Sequence, residues 1–434
     1  MLAASGMFFL VSLDTLILNV ALPTIAAELG GGMAAQQWVV DGYTLAFAVF
    51  LLLAGNLADR FGARRLFAVG TALFAAASAG CALAPTMGAL VAGRVALGAA
   101  AAVIMPSSMA LITEAFPDEA RRAHALGVWM AGGAVAAAAG PLLGGVLTPI
   151  HWSLVFTVNI PVCAAVLAAV PRVAPSPRRA VPFDWVGQAL ALVGLSGLVG
   201  GLIEGGELGF AQSLPLALMA VGVLALAAFV ASQARAKAPM LPLSLFRSAG
   251  LRAALLTGFT FIMSWFGLAF LMSLYLQQAR GLDPLAAGLV FVPSAITAFV
   301  GNLASGRLTA RFGAAVPIVG GAIVEAAGLL ALAFGAAQMG QVALAAVVAV
   351  IGLGGSAMMP AASSLVLASA PAGQSGVASA AFNTFRQVGA SVGIAVFGAL
   401  AAGLPLFSDA LCVSFTAVAA LLAVVAVCVA RLRK

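Results

Sequence analysis

Apolar stretches long enough to cross a bilayer recur along this chain, and polar residues collect between them. The fourteen stretches lie at about 5–25, 37–57, 66–84, 88–113, 123–147, 152–170, 185–204, 213–233, 252–277, 285–306, 316–336, 341–366, 376–402 and 408–430. A spanning helix needs roughly 20 apolar residues, and a helix satisfies every backbone hydrogen bond within its own segment. The pattern therefore predicts an all-α membrane protein with fourteen transmembrane helices. An even number of crossings puts both termini on one side, with alternate connectors facing the same way.

The connectors carry the charge. One side collects Arg60, Arg64, Arg65, Arg121, Arg122, Arg172, Arg178, Arg179, Arg235, Lys237, Arg247, Arg252, Arg307, Arg311, Arg431, Arg433 and Lys434. The other side has Arg280, while Arg94 and Arg386 fall inside spans. Cytoplasmic loops are enriched in Lys and Arg, so this bias puts both termini in the cytoplasm of a cell-membrane protein. Of the 434 residues 63% are hydrophobic and 8% charged, against about 25% charged in soluble domains. A water-facing surface is excluded. The net charge of +7 lies in short connectors, so no nucleic-acid partner is expected. Cys81, Cys163, Cys412 and Cys428 fall inside apolar runs without CxxC spacing and read as small hydrophobes, with no metal site. No basic residue precedes the first span and no cleavage site follows it, so no cleavable signal is expected. The segment before that span is short, as a late-called start would leave it.

The connector Gly55–Arg65, GNLADRFGARR, is the most informative. Eleven residues with one acid and three arginines join two spans, so the turn must lie at a membrane face. Its glycines Gly55 and Gly62 permit a tight turn. Asp59, Arg60 and Arg64 can lock it to a neighbouring helix end. GNLADRFG at 55–62 is echoed by GRLTARFG at 306–313, and Met105-Pro106 by Met359-Pro360. Ala310 stands opposite Asp59, so the first loop is the stronger latch. Two six-helix halves separated by an inserted pair fit these offsets: 1–170 as the first bundle, 171–249 as the inserted two-helix segment with its linkers, and 250–434 as the second bundle. Parallel repeats of this kind are found in transporters. The Pro- and Arg-rich stretch 171–182 and ARAKAPMLPLSLFRS at 234–248 mark the boundaries.

Charges inside spans are the candidate chemistry, because they are costly there and need a cavity or a partner. Asp14, in LDTLILNVALP at 13–23, lies near mid-membrane. Desolvation disfavours a charged carboxyl, so such a group can gain and lose a proton; a packing acid satisfied by a hydroxyl is the plainer reading. Arg94, in GRVALGAA, is its natural partner, whether for proton coupling or as a structural ion pair. Asp41, beside Tyr43 near the outer end of the second span, would attract cations at an outer vestibule or would simply be solvated. Glu325 and Arg386 are the intramembrane charges of the second half and candidates to line the cavity. In the fifth span GGAVAAAAGPLLGG, the GxxxG step Gly140–Gly144 with Pro141 permits close helix contact and a bend. This helix is expected to pack across the half-to-half interface.

Over its whole length the chain resembles the major facilitator superfamily, specifically its fourteen-helix drug:proton antiporters. LDTLILNVALP is similar to that family's first-helix signature, GNLADRFGARR to the superfamily's loop motif, Arg94 with Gly98 to its fourth-helix motif, and GPLLGG to the antiporter motif. FDWVGQALALVGLSGLVGGLIEGGELGF at 183–210 and YLQQARGLDPLAAGLVFVP at 275–293 continue the match. The resemblance implies that Asp14 and Arg94 serve proton coupling. It implies that Asp59 and Arg60 stabilise the outward-facing state through cytoplasmic helix-end contacts, and that Gly140 and Pro141 serve interface motion. The chain departs at Ser153, where the family usually has a basic residue after Trp152.

The expectation is a monomeric secondary transporter in the lipid bilayer. It would exchange protons for small amphipathic or cationic drugs, driven by the proton gradient with no cofactor. A narrow exporter of one metabolite or self-made antibiotic is the alternative. An ATP-driven pump is excluded by the want of a Gly-Lys-Ser/Thr loop, since Lys237 precedes Ala238 and Lys434 ends the chain. His124 beside loop arginines and His151 at a span end form no catalytic constellation, so no enzyme is expected. A receptor role is disfavoured by the absence of a sensory domain.

Overall fold

Proline and short polar connectors cut the apolar sequence into helices. The computed structural model describes residues 1–116, 118–178, 183–371 and 374–432. Arg179, Arg433, Lys434 and the end of the 171–182 linker lie outside the described residues. The helices are α1 Leu2–Leu29, α2 Met33–Phe61, α3 Ala63–Ala82, α4 Met87–Ala115, α5 Glu119–Leu147, α6 Leu154–Thr157, α7 Asn159–Ala169, α8 Trp185–Leu208, α9 Ser213–Arg235, α10 Ala249–Leu274, α11 Pro284–Leu289, α12 Val292–Phe312, α13 Ala315–Gly335, α14 Gln341–Ser369, α15 Ser375–Gly403 and α16 Phe407–Arg431. Among the described residues twelve segments are long and apolar enough to cross a membrane, and two bent helices bring the number to fourteen. The chain is an all-α membrane protein, as the hydropathy pattern predicts.

The irregularities have local causes. Pro141 cannot donate to the carbonyl of Ala137, and α5 bends by 41° between Ala137 and Ala139. Pro161 cannot donate to Thr157, which is where α6 stops and α7 begins. Pro293 likewise cannot donate to the Leu289 carbonyl, and α11 gives way to α12 there. The sixth and tenth spans are thus each built from two helices. The ninth ends in a π-helical turn, Tyr275–Ala279. α2 bends by 56° between Leu51 and Leu53; nothing in its sequence explains this.

The helices pack in two groups with the same pairing. In the first, α1 lies on α5, α2 on α4, and α3 on α4 and α7; in the second, α10 lies on α15, α12 on α14, and α13 on α14 and α16. The direction of packing follows from the small residues. Gly132 meets Ser5 while Gly144 meets Ile17, so α1 and α5 run parallel. Gly258 meets Phe382 while Gly267 meets Phe397, so α10 and α15 do the same. The inserted pair α8–α9 packs against itself and seats α8 on both α2 and α15. The polar anchors of α8 reach α2. Gln188 Nε2 donates to the Val49 carbonyl at 2.9 Å, Trp38 Nε1 to Glu204 at 2.9 Å, and the Ala34 amide to Glu207 at 2.6 Å. Towards α15 the contact is apolar, with Gly206 against Ala399 and Ala395 packed with Val199 and Ile203.

Candidate functional site

The deepest polar cluster lies inside the first helix group. Asp14 of α1 and Arg94 of α4 form an ion pair with both side chains fully buried, the one salt bridge among the described residues. A buried pair is tolerable only when its remaining hydrogen-bonding groups are also met. Asn159, at the start of α7, donates Nδ2 to Asp14 Oδ1 at 2.9 Å and to Ser78 Oγ of α3 at 3.1 Å. Arg94 Nε donates to the Val39 carbonyl at 2.9 Å. The guanidinium carbon lies 4.5 Å from the centre of the Tyr43 ring and 6.0 Å from that of Phe156, within reach of cation–π attraction. Tyr43 Oη donates to the Val11 carbonyl at 3.1 Å. Arg94 Nη2 is buried without a hydrogen bond. Six helices thus converge on one buried, ion-paired carboxyl.

Sequence reasoning pairs Asp14 with Arg94 but misses Asn159 and Ser78. Tyr43 requires a correction: it is fully buried against Arg94 and belongs to the ion-pair cluster, not to a cavity wall. Its neighbour Asp41 points elsewhere, as adjacent helical positions do. Asp41 is also fully buried, so it is neither solvated nor at an open vestibule. Its Oδ1 accepts from Thr44 Oγ1 at 2.9 Å, its Oδ2 has no hydrogen bond, and Ser391 of α15 lies beside it. Glu325 of α13 is fully buried too, against Gly355 of α14 and beside Ser264 of α10, with both carboxyl oxygens unbonded. It is enclosed within the second group. Arg386 is half-buried, donates Nη1 to Asn383 Oδ1 at 3.1 Å and lies over Phe382.

The two groups meet along three seams: α2 on α15, α5 on α11 and α12, and α1 on α10. Hydrogen bonds cross at the ends of these helices away from the termini. Gln37 Nε2 donates to the carbonyls of Ala395 at 2.9 Å and Ile394 at 3.2 Å. Ser273 Oγ donates to the Asn19 carbonyl at 2.8 Å and Gln277 Nε2 to the Val20 carbonyl at 3.1 Å. At the same end Gly288 sits against the Pro141 carbonyl and Gly145 against Pro284 and Leu285, with no room for a Cβ at either glycine. The molecule is closed on the face opposite its termini. Within this closure a narrow crevice is lined by Leu16, Asn19, Trp265 and Phe291 among others, and the Asn19 Oδ1 in it is buried without a partner. Sequence reasoning misses Trp265 and Asn19, although a tryptophan at mid-span, away from the interfacial belt, is a usable signal.

The small residues of α5 divide their work. Gly140 and Gly144 pack on Leu16 and Ile17 of α1, inside their own group, while Pro141 and Gly145 face the other. α5 thus packs across the interface as expected, through Pro141 and Gly145, while its GxxxG step serves the contact with α1. At the face of the termini, Gly62 has φ 88° between α2 and α3, a conformation suited to glycine, whereas Gly55 has open space around it and permits no close approach. The Arg64 amide donates to Ser176 Oγ at 3.0 Å, and Ser176 donates to Glu114 at 2.5 Å. Arg60 lies 5.0 Å from the Phe183 ring centre. Asp59 is exposed, with no hydrogen bond or ion pair among the described residues. Arg64 holds the turn in this closed-opposite state, and Asp59 does not.

Comparison with known proteins extends this picture. The model of the Major Facilitator Superfamily matches residues 4–394. The methylenomycin A resistance protein of Streptomyces coelicolor is 35% identical over 95% of this chain and 87% of its own length. The multidrug efflux pump LfrA of Mycolicibacterium smegmatis is 34% identical over 90% of this chain and 78% of its own, and the cephamycin export protein CmcT of Amycolatopsis lactamdurans 38% over 89% and 82%. Among solved structures, a POT family transporter in complex with 5-aminolevulinic acid superposes with a TM-score of 0.74 at 12% identity, covering 100% of this chain and 96% of that one. That likeness is one of fold.

Proposed function

The chain belongs to the Major Facilitator Superfamily, and from that premise we propose that it exports small amphipathic or cationic organic molecules across the cell membrane in exchange for protons. The observation that carries the antiport reading is the buried Asp14–Arg94 pair completed by Asn159. It is supported by the chain's similarity to relatives named for antibiotic resistance, drug efflux and antibiotic export. Both termini lie in the cytoplasm, by the arginine bias of the connectors. The closed face is then the outer one, and the molecule is in an inward-facing state. A proton reaching Asp14 from outside breaks its charge balance with Arg94 and favours reorientation of the two helix groups about the crevice. Trp265, Phe291 and Leu16 offer the apolar contact and Asn19 the polar one for a substrate there. The chain works as a monomer without a cofactor. Each unit of pH gradient supplies about 1.4 kcal/mol per proton, and each 100 mV about 2.3 kcal/mol per charge, enough for concentrative export.

The test is proton flux. Purified protein is placed in liposomes with a pH-sensitive dye inside, and lipophilic cations and neutral antibiotics are added outside. Substrate entering drives protons out, so the interior alkalinises with wild type and stays flat with Asp14→Asn. Substrate uptake without proton movement overturns antiport. An unchanged response in Asp14→Asn overturns the role of Asp14. Mutual competition among unrelated compounds distinguishes a multidrug exporter from one that handles a single antibiotic.

A further inference from the structure

A cavity of about 350 Å³ lies at the face of the termini, away from the junction of the two helix groups. Its lining comes from the α2–α3 turn, the start of α3 and the stretch 170–178 that follows α7. α3 packs on α4 and α7 of its own group, so the cavity is off the path between the groups. Ser176 joins its walls. The hydroxyl accepts from the Arg64 amide at 3.0 Å and donates to Glu114 at 2.5 Å, and the carbonyl lies against Gly62.

Arg64, Arg65 and Arg178 all line this cavity. No carboxylate lines it among the described residues, and none of the three arginines forms an ion pair there. Arg64 Nη2 donates to the Pro171 carbonyl at 3.3 Å, and Glu114 is engaged by Ser176. A guanidinium does not lose its charge in a protein, so three that share one cavity repel each other until an anion lies between them. Their forked donors match the oxygens of a phosphate, and the volume is that of a small-molecule site. What leads away from the cavity is apolar. Arg65, Val69 and Leu73 follow at four-residue intervals along α3 and form one stripe. All three are exposed, so the two apolar side chains face acyl chains directly beside the arginines.

We propose that this cavity binds a phosphate group, that of an anionic phospholipid in the leaflet on the side of the termini, with its head among Arg64, Arg65 and Arg178 and an acyl chain along Val69 and Leu73. The head draws the 170–178 stretch, which leads to the inserted pair, onto the α2–α3 turn. A free phosphate ion would satisfy the arginines but would leave the apolar stripe unused.

The test is lipid binding to the purified full-length protein, counted by native mass spectrometry. Dioleoylphosphatidylglycerol should bind one site more tightly than zwitterionic dioleoylphosphatidylcholine. The Arg65→Gln/Arg178→Gln variant, altered at two exposed positions, should lose about thirty-fold in affinity for it, which corresponds to about 1 kcal/mol for each arginine. Arg235→Gln, exposed at the end of α9, should bind as wild type does. Val69→Ala/Leu73→Ala should weaken the lipid while leaving the arginines in place. Equal binding of the two lipids overturns the proposal, as does an equal loss in Arg235→Gln, which would mark a diffuse surface charge. Displacement of the lipid by an equal concentration of inorganic phosphate overturns the lipid as the source and marks a site for a soluble anion. Lipid binding here is independent of transport, so failure of the antiport reading shows in the liposome flux of Asp14→Asn and leaves these measurements unchanged.

Discussion

Arg94 and Asp14 are each tolerable in the membrane only because of the other. Arg94→Ala leaves a buried carboxylate with one hydrogen bond from Asn159 and should cost about 3–5 kcal/mol of stability, read as a lowered unfolding midpoint in detergent. The double variant Asp14→Ala/Arg94→Ala should cost less than the sum of the single ones, because no charge is then left unpaired. Asn159→Ala removes a hydrogen bond to a charged group and should cost about 1.5–3 kcal/mol. It should also move the pH at which substrate-evoked proton movement is half-maximal, which a purely structural asparagine would not. The ion pair is legible in the sequence because two charges in apolar spans demand a partner. Asn159 is not, since one amide in an apolar run says nothing of which way it points. Tyr43 and Asp41 illustrate the same limit. Two positions apart in a helix, they turn about 200° from one another, and so face an internal cluster and a seam respectively.

Helices meet where side chains are smallest, and the second α5 contact is the most exacting. A Cβ on Gly288 would run into the Pro141 carbonyl. Gly288→Ala should therefore hold the seam of α5 and α11 ajar and bias the molecule away from the closed state. Spin labels placed at Leu83 and Leu406, exposed on the closed face of the first and second groups, would report longer separations than in wild type, with little loss of expression. Element number and type were legible because hydropathy alone dictates them. Breaks in the sixth and tenth spans were legible only in principle: Pro161 and Pro293 lie in the sequence, but whether a proline bends or divides a span depends on the packing around it. The partner of a small-residue face was not legible. Gly140, Gly144 and Gly145 sit within six residues, yet two face their own group and one faces the other.

On the scale of the molecule, the inserted pair is fastened to one side of a junction that must open. The polar bonds of α8 end on α2 and its contact with α15 is apolar, so α8 should travel with the first helix group and slide past the second. A disulfide engineered between α8 and α2 should leave export intact; one between α8 and α15 should abolish it and recover on reduction. The hydrogen bonds that close the far face share another property. Gln37, Ser273 and Gln277 all donate to main-chain carbonyls, of Ile394, Ala395, Asn19 and Val20. A carbonyl oxygen is supplied by any amino acid. Closure is thus insensitive to side-chain identity at the receiving positions and sensitive at three donors, so mutational tolerance across this junction should be lopsided. A saturation library should accept apolar exchanges of matching size at Ile394 and Val20 and reject nearly everything at Gln37.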